Sequence, residues 1–236
     1  MAVYYDWDCR LLPAVGELIS KPNEAAESII LLKEKFGIRQ VYLMPTFEAE
    51  TESIPLFLLR RERAMKAIRS LLPSDIHLHP AATSLLTPGL LGERSLGKLR
   101  IPATDYLPVK FPFVYDWNEV MTAFNQLLYH SPYRLLLMEF DALTDFYPRE
   151  EIQRWCCLSN VAFCFRYQSL EKPEIRELLK LLIQRNAPIC FGSGLNSYKK
   201  ACYYQLDHYL ALADRYFTSY EKSVLFFNKK LFRRSR

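Results

Sequence analysis

The chain has 236 residues, half of them hydrophobic, which is enough to bury one sizeable core and to form a single domain. Lys and Arg number 31 against 26 Asp and Glu, and the formal net charge of +5 is too small and too scattered to require nucleic acid as a partner. No charged leader precedes an apolar stretch, and no apolar segment reaches about 18 residues. We therefore expect neither a signal peptide nor a membrane span, and we expect a cytoplasmic protein.

The only concentrated run of charge lies at the C-terminal end, where residues 229–236 carry five basic side chains. We interpret this run as a frayed, solubilising tail rather than a docking or membrane-surface patch. The residues before it, 1–228, are predicted to form one domain. The sequence leaves the oligomeric state open.

The six cysteines lie in or beside apolar segments and lack Cys-x-x-Cys spacing. This pattern favours reduced core thiols over a disulfide framework or a zinc site. These residues are Cys9, Cys156, Cys157, Cys164, Cys190 and Cys202.

Short β-rich runs alternate along the chain with longer helical patterns. Strands are predicted over residues 3–8, 40–44, 75–80, 106–111, 134–138, 161–166 and 188–191. Helices are predicted over residues 22–36, 51–72, 117–129, 149–158, 173–185, 197–215 and 218–228, with a short helix or loop over 85–96. Seven strands alternating with helices, and no glycine-rich phosphate loop after the first strand, predict an α/β fold with a closed or distorted (β/α) barrel.

The first strand carries three charged residues close together. Strict alternation would place Asp6, Asp8 and Arg10 on one face and Tyr5, Trp7 and Cys9 on the other. Because an unpaired charge is costly to bury, the three charged residues are expected to face water, each other or a site.

Polar residues recur where the predicted strands end, which is where barrels of this kind build their sites. We expect these residues to surround the mouth of the barrel. In chain order they are Asp8, Arg10, Thr46, Phe47, Thr83, Lys110, Glu139, Asp141, Arg166, Ser193 and Asn196.

Several stretches resemble the PHP (polymerase and histidinol phosphatase) superfamily. Residues 6–13, Asp-Trp-Asp-Cys-Arg-Leu-Leu-Pro, resemble the family opening Asp-x-His-x-His-x-Leu-Pro. Residues 36–47 resemble the Gly-Ile-Arg segment and the strand ending Thr-Pro-His, residues 134–141 the strand ending His-Pro-Glu-Arg, and residues 189–196 the strand ending Ser-Asp-x-His. Within the superfamily, the similarity is to the manganese-dependent protein-tyrosine phosphatases of bacterial capsule and exopolysaccharide systems, and it implies a distorted (β/α)7 barrel.

Carried over onto this sequence, the resemblance replaces almost every metal ligand. The first two ligand histidines become Asp8 and Arg10, the third becomes Thr46 or Phe47, and the fourth becomes Glu139. The two ligand glutamates become Thr83 and Lys110, the arginine of the fourth motif becomes Ala142, and the final Asp and His become Ser193 and Leu195. Only Asp6, an acid of the outer shell in the family, is kept.

These replacements place fixed positive charges where a metal cluster would need neutral imidazoles and carboxylates. We expect Arg10 and Lys110 to pair with Asp6, Asp8, Glu139 or Asp141 and to form an ion-paired plug without cofactor. Two alternatives stay open. One is a single Mg or Mn ion held by Asp8, Glu139 and Asp141; the other is binding of an anion by Arg10 and Lys110.

Two functions follow from these alternatives. The first is a pseudoenzyme that binds a protein, such as a phosphotyrosine-bearing tail, or another anionic ligand. The second is an active phosphatase or hydrolase with an oxygen-liganded centre. The His77-x-His79 pair, which copies the spacing of the family opening, is interpreted as structural because it lies inside the third predicted strand.

Overall fold

The structure, a computed structural model, describes residues 5–13, 15, 21–113 and 115–226. The predicted basic tail, residues 229–236, and the predicted domain boundary at residue 228 lie outside these described residues. So do residues 3 and 4, where the first strand was predicted to begin.

The described strands pair in parallel and form two sheets. The first sheet has the order β1-β2-β4, and the second has the order β3-β5-β6-β7-β8-β9. The strands are β1 (Tyr5–Cys9), β2 (Gln40–Leu43), β3 (Thr46–Phe47), β4 (His77–Pro80), β5 (Thr83–Leu85), β6 (Tyr106–Lys110), β7 (Arg134–Leu137), β8 (Val161–Arg166) and β9 (Ile189–Gly192). The fold is therefore α/β with parallel sheets, and the described ladders contain no closed sheet.

Two of the seven predicted strands are each followed, after a gap of two residues, by a short further strand. Met44 and Pro45 separate β2 from β3, and Ala81 and Ala82 separate β4 from β5. Hydrogen bonds continue across both breaks, from the Ala81 amide to Leu43 O (3.1 Å) and from the Thr83 amide to Pro45 O (3.0 Å). Pro45 has no N–H to donate, which accounts for a break at that point. The extensions β3 and β5 were not predicted.

Helices follow most strands and lie close to their predicted bounds. They are α1 (Pro22–Phe36), α2 (Ile54–Arg69), α3 (Trp117–His130), α4 (Phe140–Leu143), α5 (Arg149–Trp155), α6 (Pro173–Gln184), α7 (Tyr198–Cys202), α8 (Leu206–Tyr216) and α9 (Ser219–Phe226). Short 3₁₀ turns occupy Pro88–Gly92, Leu96–Leu99 and Tyr167–Glu171. The single helix predicted over 197–215 is wrong, because a short non-helical segment separates α7 from α8. The short α4 was not predicted.

The first helix shows which sequence signals predicted a helix correctly. Pro22 occupies the first turn, where its missing N–H costs nothing, and Glu24 lies near the positive end of the helix dipole. Gly37 ends the helix in the left-handed region (φ 71°), and its amide donates to the carbonyls of Leu32 and Lys33. The sequence signals for the start and the end are thus both present.

Two hydrophobic clusters form the core. The larger one contains residues of the helices together with strand residues such as Val41, Leu137 and Phe163. The smaller one is formed mainly by strand residues; its members include Trp7, Tyr42, Leu136, Met138, Cys164 and Cys190. Alternate residues of one strand thus fall into different clusters, as expected for a sheet covered on both faces.

A column of stacked rings crosses β1, β2 and β4. Trp7 stacks on Tyr5 (centroids 5.9 Å apart) and on Tyr42 (4.2 Å), and Tyr42 stacks on His79 (4.4 Å). The imidazole Nε2 of His79 also lies 2.7 Å from Gln40 Oε1. His77 is exposed. These contacts give His79 a structural place in the sheet.

Four of the six cysteines are buried, as predicted, whereas Cys157 is exposed and Cys202 is half-buried. All six are free thiols. Of the helices in the described part of the chain, none combines the length and the apolar character needed to cross a membrane.

Candidate functional site

The predicted site residues of β1 are held by side-chain ion pairs at the strand's C-terminal end. Arg10 binds Asp8 through both carboxylate oxygens, with Nε 3.1 Å from Oδ1 and Nη2 3.1 Å from Oδ2. Both side chains are more than nine-tenths buried. A bidentate guanidinium–carboxylate pair of this kind satisfies donors and acceptors together, which burial requires.

Glu139 joins this pair to the end of β6. Its carboxylate accepts a hydrogen bond from Arg10 Nη2, and Lys110 Nζ lies 2.6 Å from its Oε1. The backbone of Glu139 lies in the left-handed region, with φ 51° and ψ 41°, a conformation that costs a non-glycine residue about 1 kcal/mol or more. This strained residue follows β7 and precedes α4.

Mutual attraction sets the charge states of this network. Burial raises the pKa of Glu139, but the charges of Arg10 and Lys110 outweigh burial and lower the pKa to about 2. Burial lowers the pKa of Arg10, and the opposing charges of Asp8 and Glu139 raise it well above its usual range. Both groups therefore stay ionised across the physiological pH range.

Asp141, on α4, pairs with a different cation. Arg166, the last residue of β8, donates to Asp141 Oδ2 from Nε (2.8 Å) and Nη2 (2.6 Å), and its backbone amide donates to Oδ1 (3.1 Å). Burial nonetheless raises the pKa of Asp141 above its ordinary value. The sequence prediction placed Arg166 among the strand ends but did not count it as a partner, although its position as the last residue of a buried strand was the available signal.

Asp6 belongs to a third group, with β9. Its Oδ1 accepts from the Ser193 amide (2.8 Å) and its Oδ2 from the Ser193 hydroxyl (2.6 Å). The Ser193 hydroxyl in turn accepts from the Leu195 amide (3.2 Å). Complete burial raises the pKa of Asp6 to about 6 despite these bonds. Ser193 thus serves as a hydrogen-bond partner of Asp6.

The strict alternation predicted for the first strand is wrong. The register of β1 against β2 shifts between Asp6 and Cys9, as in a β-bulge. Trp7 belongs to the smaller core cluster and Cys9 to the larger one, although both were expected on one face. All three charged side chains of this stretch are buried, Asp6 with Ser193 and the other two with each other.

The two threonines predicted at the site lie together on neighbouring strands. Thr46 of β3 pairs with Thr83 of β5 in the sheet register. Thr83 Oγ1 is buried and makes no hydrogen bond within the described ranges. Lys110 lies opposite Leu85, two residues beyond Thr83. The threonines therefore stand beside the ion-paired network, with no hydrogen bond found from Thr83 into it.

The donor set at the strand ends does not suit a cluster of divalent ions. Asp8 and Glu139 are held by cations, and the third weak metal candidate, Asp141, is held by Arg166. Among the described residues, no three His, Cys, Asp or Glu side chains are grouped as a metal site requires. Fixed ammonium and guanidinium groups occupy the carboxylate oxygens instead.

Comparison with known proteins gives one result that bears on the fold. No family model matches the sequence, and no curated protein matches it. A solved structure does match, from work on YwqE from Bacillus subtilis and CpsB from Streptococcus pneumoniae, described as unique metal-dependent tyrosine phosphatases. The TM-score is 0.67 at 15% identity, and the match covers 93% of this chain and 90% of the other.

The chain shares its overall fold with this matched structure. This likeness extends over 93% of the chain. At 15% identity the match shows the fold alone. The chemistry of this chain has to be argued from its own side chains.

Proposed function

We propose that this protein is a catalytically degenerate PHP-type tyrosine-phosphatase homologue that acts by binding rather than by hydrolysis. The observation that carries the proposal is the convergence of Arg10 and Lys110 on one carboxylate, Glu139. These two cations neutralise a carboxylate that could otherwise serve as a metal ligand. Because Asp8 and Glu139 are paired with cations, a metal ion would have to displace Arg10 or Lys110 before it could activate a water here.

The proposal includes a distorted (β/α)7 barrel. Two hydrogen bonds link the outer strands of the two sheets, from the Gly194 amide to Asp8 O (2.8 Å) and from the Arg10 amide to Leu195 O (2.8 Å). A parallel bridge between Cys9 and Leu195 lies between them. With β2 and β3 taken as one strand, and β4 and β5 as another, seven strands surround the smaller core cluster.

The ion pairs favour a filled plug over an anion site at Arg10 and Lys110. Arg10 is already bound by Asp8 and Glu139, and Lys110 by Glu139. An added phosphate would have to compete with these carboxylates for the same donors. We therefore propose that the protein binds its partner through its exterior surface. The proposed partner is a protein of a bacterial capsule or exopolysaccharide system, and the alternative ligand is a phosphotyrosine-bearing tail. The proposed location is the cytoplasm.

A metal assay with an activity assay tests the proposal. Protein purified without chelator should contain less than one transition metal ion per chain, and added Mn²⁺ should give no hydrolysis of p-nitrophenyl phosphate or of a phosphotyrosine peptide. The matched control is Glu139→Gln, which should give the same background rate. Stoichiometric metal, together with a rate that EDTA and Glu139→Gln both abolish, would overturn the proposal.

The second candidate is an active hydrolase with an oxygen-liganded Mg or Mn ion. The observation in its favour is that three buried or nearly buried acids lie at or just beyond strand ends, namely Asp8, Glu139 and Asp141. It requires Arg10, Lys110 and Arg166 to release their partners. A Mg²⁺-dependent rate that increases in Lys110→Met would support this candidate, since the variant frees one side of Glu139.

A further inference from the structure

A cleft of about 530 Å³ lies beside the gap between the two sheets, away from the ion-paired network. The gap lies between β4 and β6: β6 is hydrogen-bonded to β5, whereas β4 is hydrogen-bonded only to β2 within the described ladders. The segment before β6 approaches this gap, and its Ile101 amide donates to Tyr106 O (3.0 Å). We name this space the α2 cleft. Its lining includes Arg61, Pro80, Lys98, Arg100, Thr104 and Asp105.

The α2 cleft is strongly basic for its size. Three cations, Arg61, Lys98 and Arg100, face a single acid among its lining residues, Asp105. Arg100 lies 3.5 Å from that acid, and its Nε donates to Gly97 O (3.0 Å). Among the lining residues alone the positive charges exceed the negative ones by two, and Glu62, which pairs with Arg61 from outside the lining, offsets part of this excess. A phosphate-type anion would balance the remainder.

The burial of the Arg61 side chain is the observation on which the proposal depends. This side chain is 92% buried, its Nη1 donates to Ala81 O (3.1 Å), and its nearest acid, Glu62, is 62% exposed and 3.3 Å away. The Arg61 Nε is buried and makes no hydrogen bond within the described chain. A buried guanidinium without a buried counter-ion is costly, and an oxyanion that accepts from it removes that cost.

From this geometry we propose that the α2 cleft binds a small phosphate monoester through Arg61, Lys98 and Arg100. Guanidinium forks match the tetrahedral phosphate oxygens in pairs, and Lys98 adds a point charge. A cleft of about 530 Å³ lies in the size range of small-molecule sites. The same charges would accept inorganic phosphate more weakly, because the cleft offers further contacts to an ester. This site is separate from the network of Arg10, Lys110 and Glu139.

Isothermal titration calorimetry with inorganic phosphate and with glycerol 3-phosphate tests the proposal. Wild-type protein should bind the ester more tightly than phosphate, and Arg100→Gln and Lys98→Gln should each weaken binding about tenfold. Arg63→Gln, an exposed change on the same helix as Arg61, is the matched control and should bind like the wild type. Arg61→Gln should bind weakest, and its folding is checked by circular dichroism because the residue is buried.

The result also separates this site from the proposed function. Lys110→Gln should leave binding unchanged. If Lys110→Gln weakens binding while Arg100→Gln does not, the anion sits at the strand ends and the α2 cleft proposal is wrong. Failure of the wild type to bind either compound at millimolar concentration would also overturn it. Neither outcome depends on whether the protein hydrolyses phosphotyrosine.

Discussion

Glu139 shows at the scale of one residue how the site is stabilised. Its left-handed backbone aims a carboxylate at two cations, and its side chain is 12% exposed. Removing its carboxylate takes one acid away from Arg10, which keeps Asp8, and takes away the acid that pairs with Lys110 among the described ion pairs. The strain in the backbone is offset by contacts that only this side chain makes.

We expect Glu139→Gln to lower the free energy of unfolding by about 3 kcal/mol, because breaking a buried ion pair leaves a charge uncompensated. Urea denaturation measures the change. Glu177→Gln, which removes an exposed pair with Lys180, should cost less than about 1 kcal/mol. Equal losses for the two variants would mean that the network contributes no more than a surface pair.

Lys110→Met should be much milder than Glu139→Gln, with a loss of about 1 kcal/mol or less, since Glu139 keeps Arg10 as its partner. The same denaturation series measures it. A loss as large as that of Glu139→Gln would show that Lys110, and not Arg10, holds the carboxylate. Lower affinity for a phosphotyrosine peptide in this variant would favour the anion-binding alternative.

The raised pKa of Asp6 predicts how the free energy of unfolding depends on pH. Burial raises its folded pKa from 3.8 to about 6, so its contribution is fully present below pH 3.8 and is lost as the pH rises through 6. Relative to Asp6→Asn, wild-type protein should lose up to about 3 kcal/mol between pH 4 and pH 7. Unfolding curves across this range measure the difference. The exposed Asp207→Asn should follow the wild-type profile, and a parallel course for Asp6→Asn would contradict the prediction.

At the scale of single elements, the close approach of β1 and β9 depends on a glycine. A Cβ at Gly192 would lie 2.3 Å from Asp8 Cβ and 2.4 Å from the Asp8 backbone nitrogen. No rotation of a side chain relieves a clash with backbone, so the two strands would have to separate. Gly192 thus permits the contact through which Asp6 reaches Ser193.

Gly192→Ala should destabilise the fold by about 2 kcal/mol or more, because overpacking here moves backbone. Thermal unfolding measures the shift. Gly92→Ala is the matched control, since a Cβ there meets nothing within 4 Å, and it should leave the melting temperature nearly unchanged. Similar melting temperatures for the two variants would contradict the tight contact of β1 and β9.

Element by element, the sequence was most informative where local signals and burial agree. Pro22, Glu24 and Gly37 marked a helix that the structure confirms. The bulge in β1 and the left-handed Glu139 arise from contacts with distant strands, which no local pattern records. The interruption after Leu43 has a local cause, since Pro45 has no N–H to donate. Arg10 and Lys110 were predicted as partners of the acids. The pairing of Asp141 with Arg166 was missed, although Arg166 had been placed at the end of a buried strand.

At the scale of the whole molecule, the proposed barrel depends on the hydrogen bonds between β1 and the segment after β9. If the seven strands close, the amides of Arg10 and Gly194 should exchange with solvent as slowly as those of the central strands β7 and β8. Hydrogen exchange followed by NMR measures this directly. Exchange as fast as that of an open sheet edge would leave the fold as two separate sheets.

The column of stacked rings that begins at Tyr5 also makes the fluorescence of Trp7 a probe of the N-terminal strand. Trp7 is 6% exposed and packs between two tyrosines, whereas Trp117 and Trp155 belong to a different aromatic group with Tyr147. Replacing Trp117 and Trp155 by Phe would leave Trp7 as the only indole in the chain. Its emission would then report when the N-terminal strand inserts during refolding, independently of the packing of the helices.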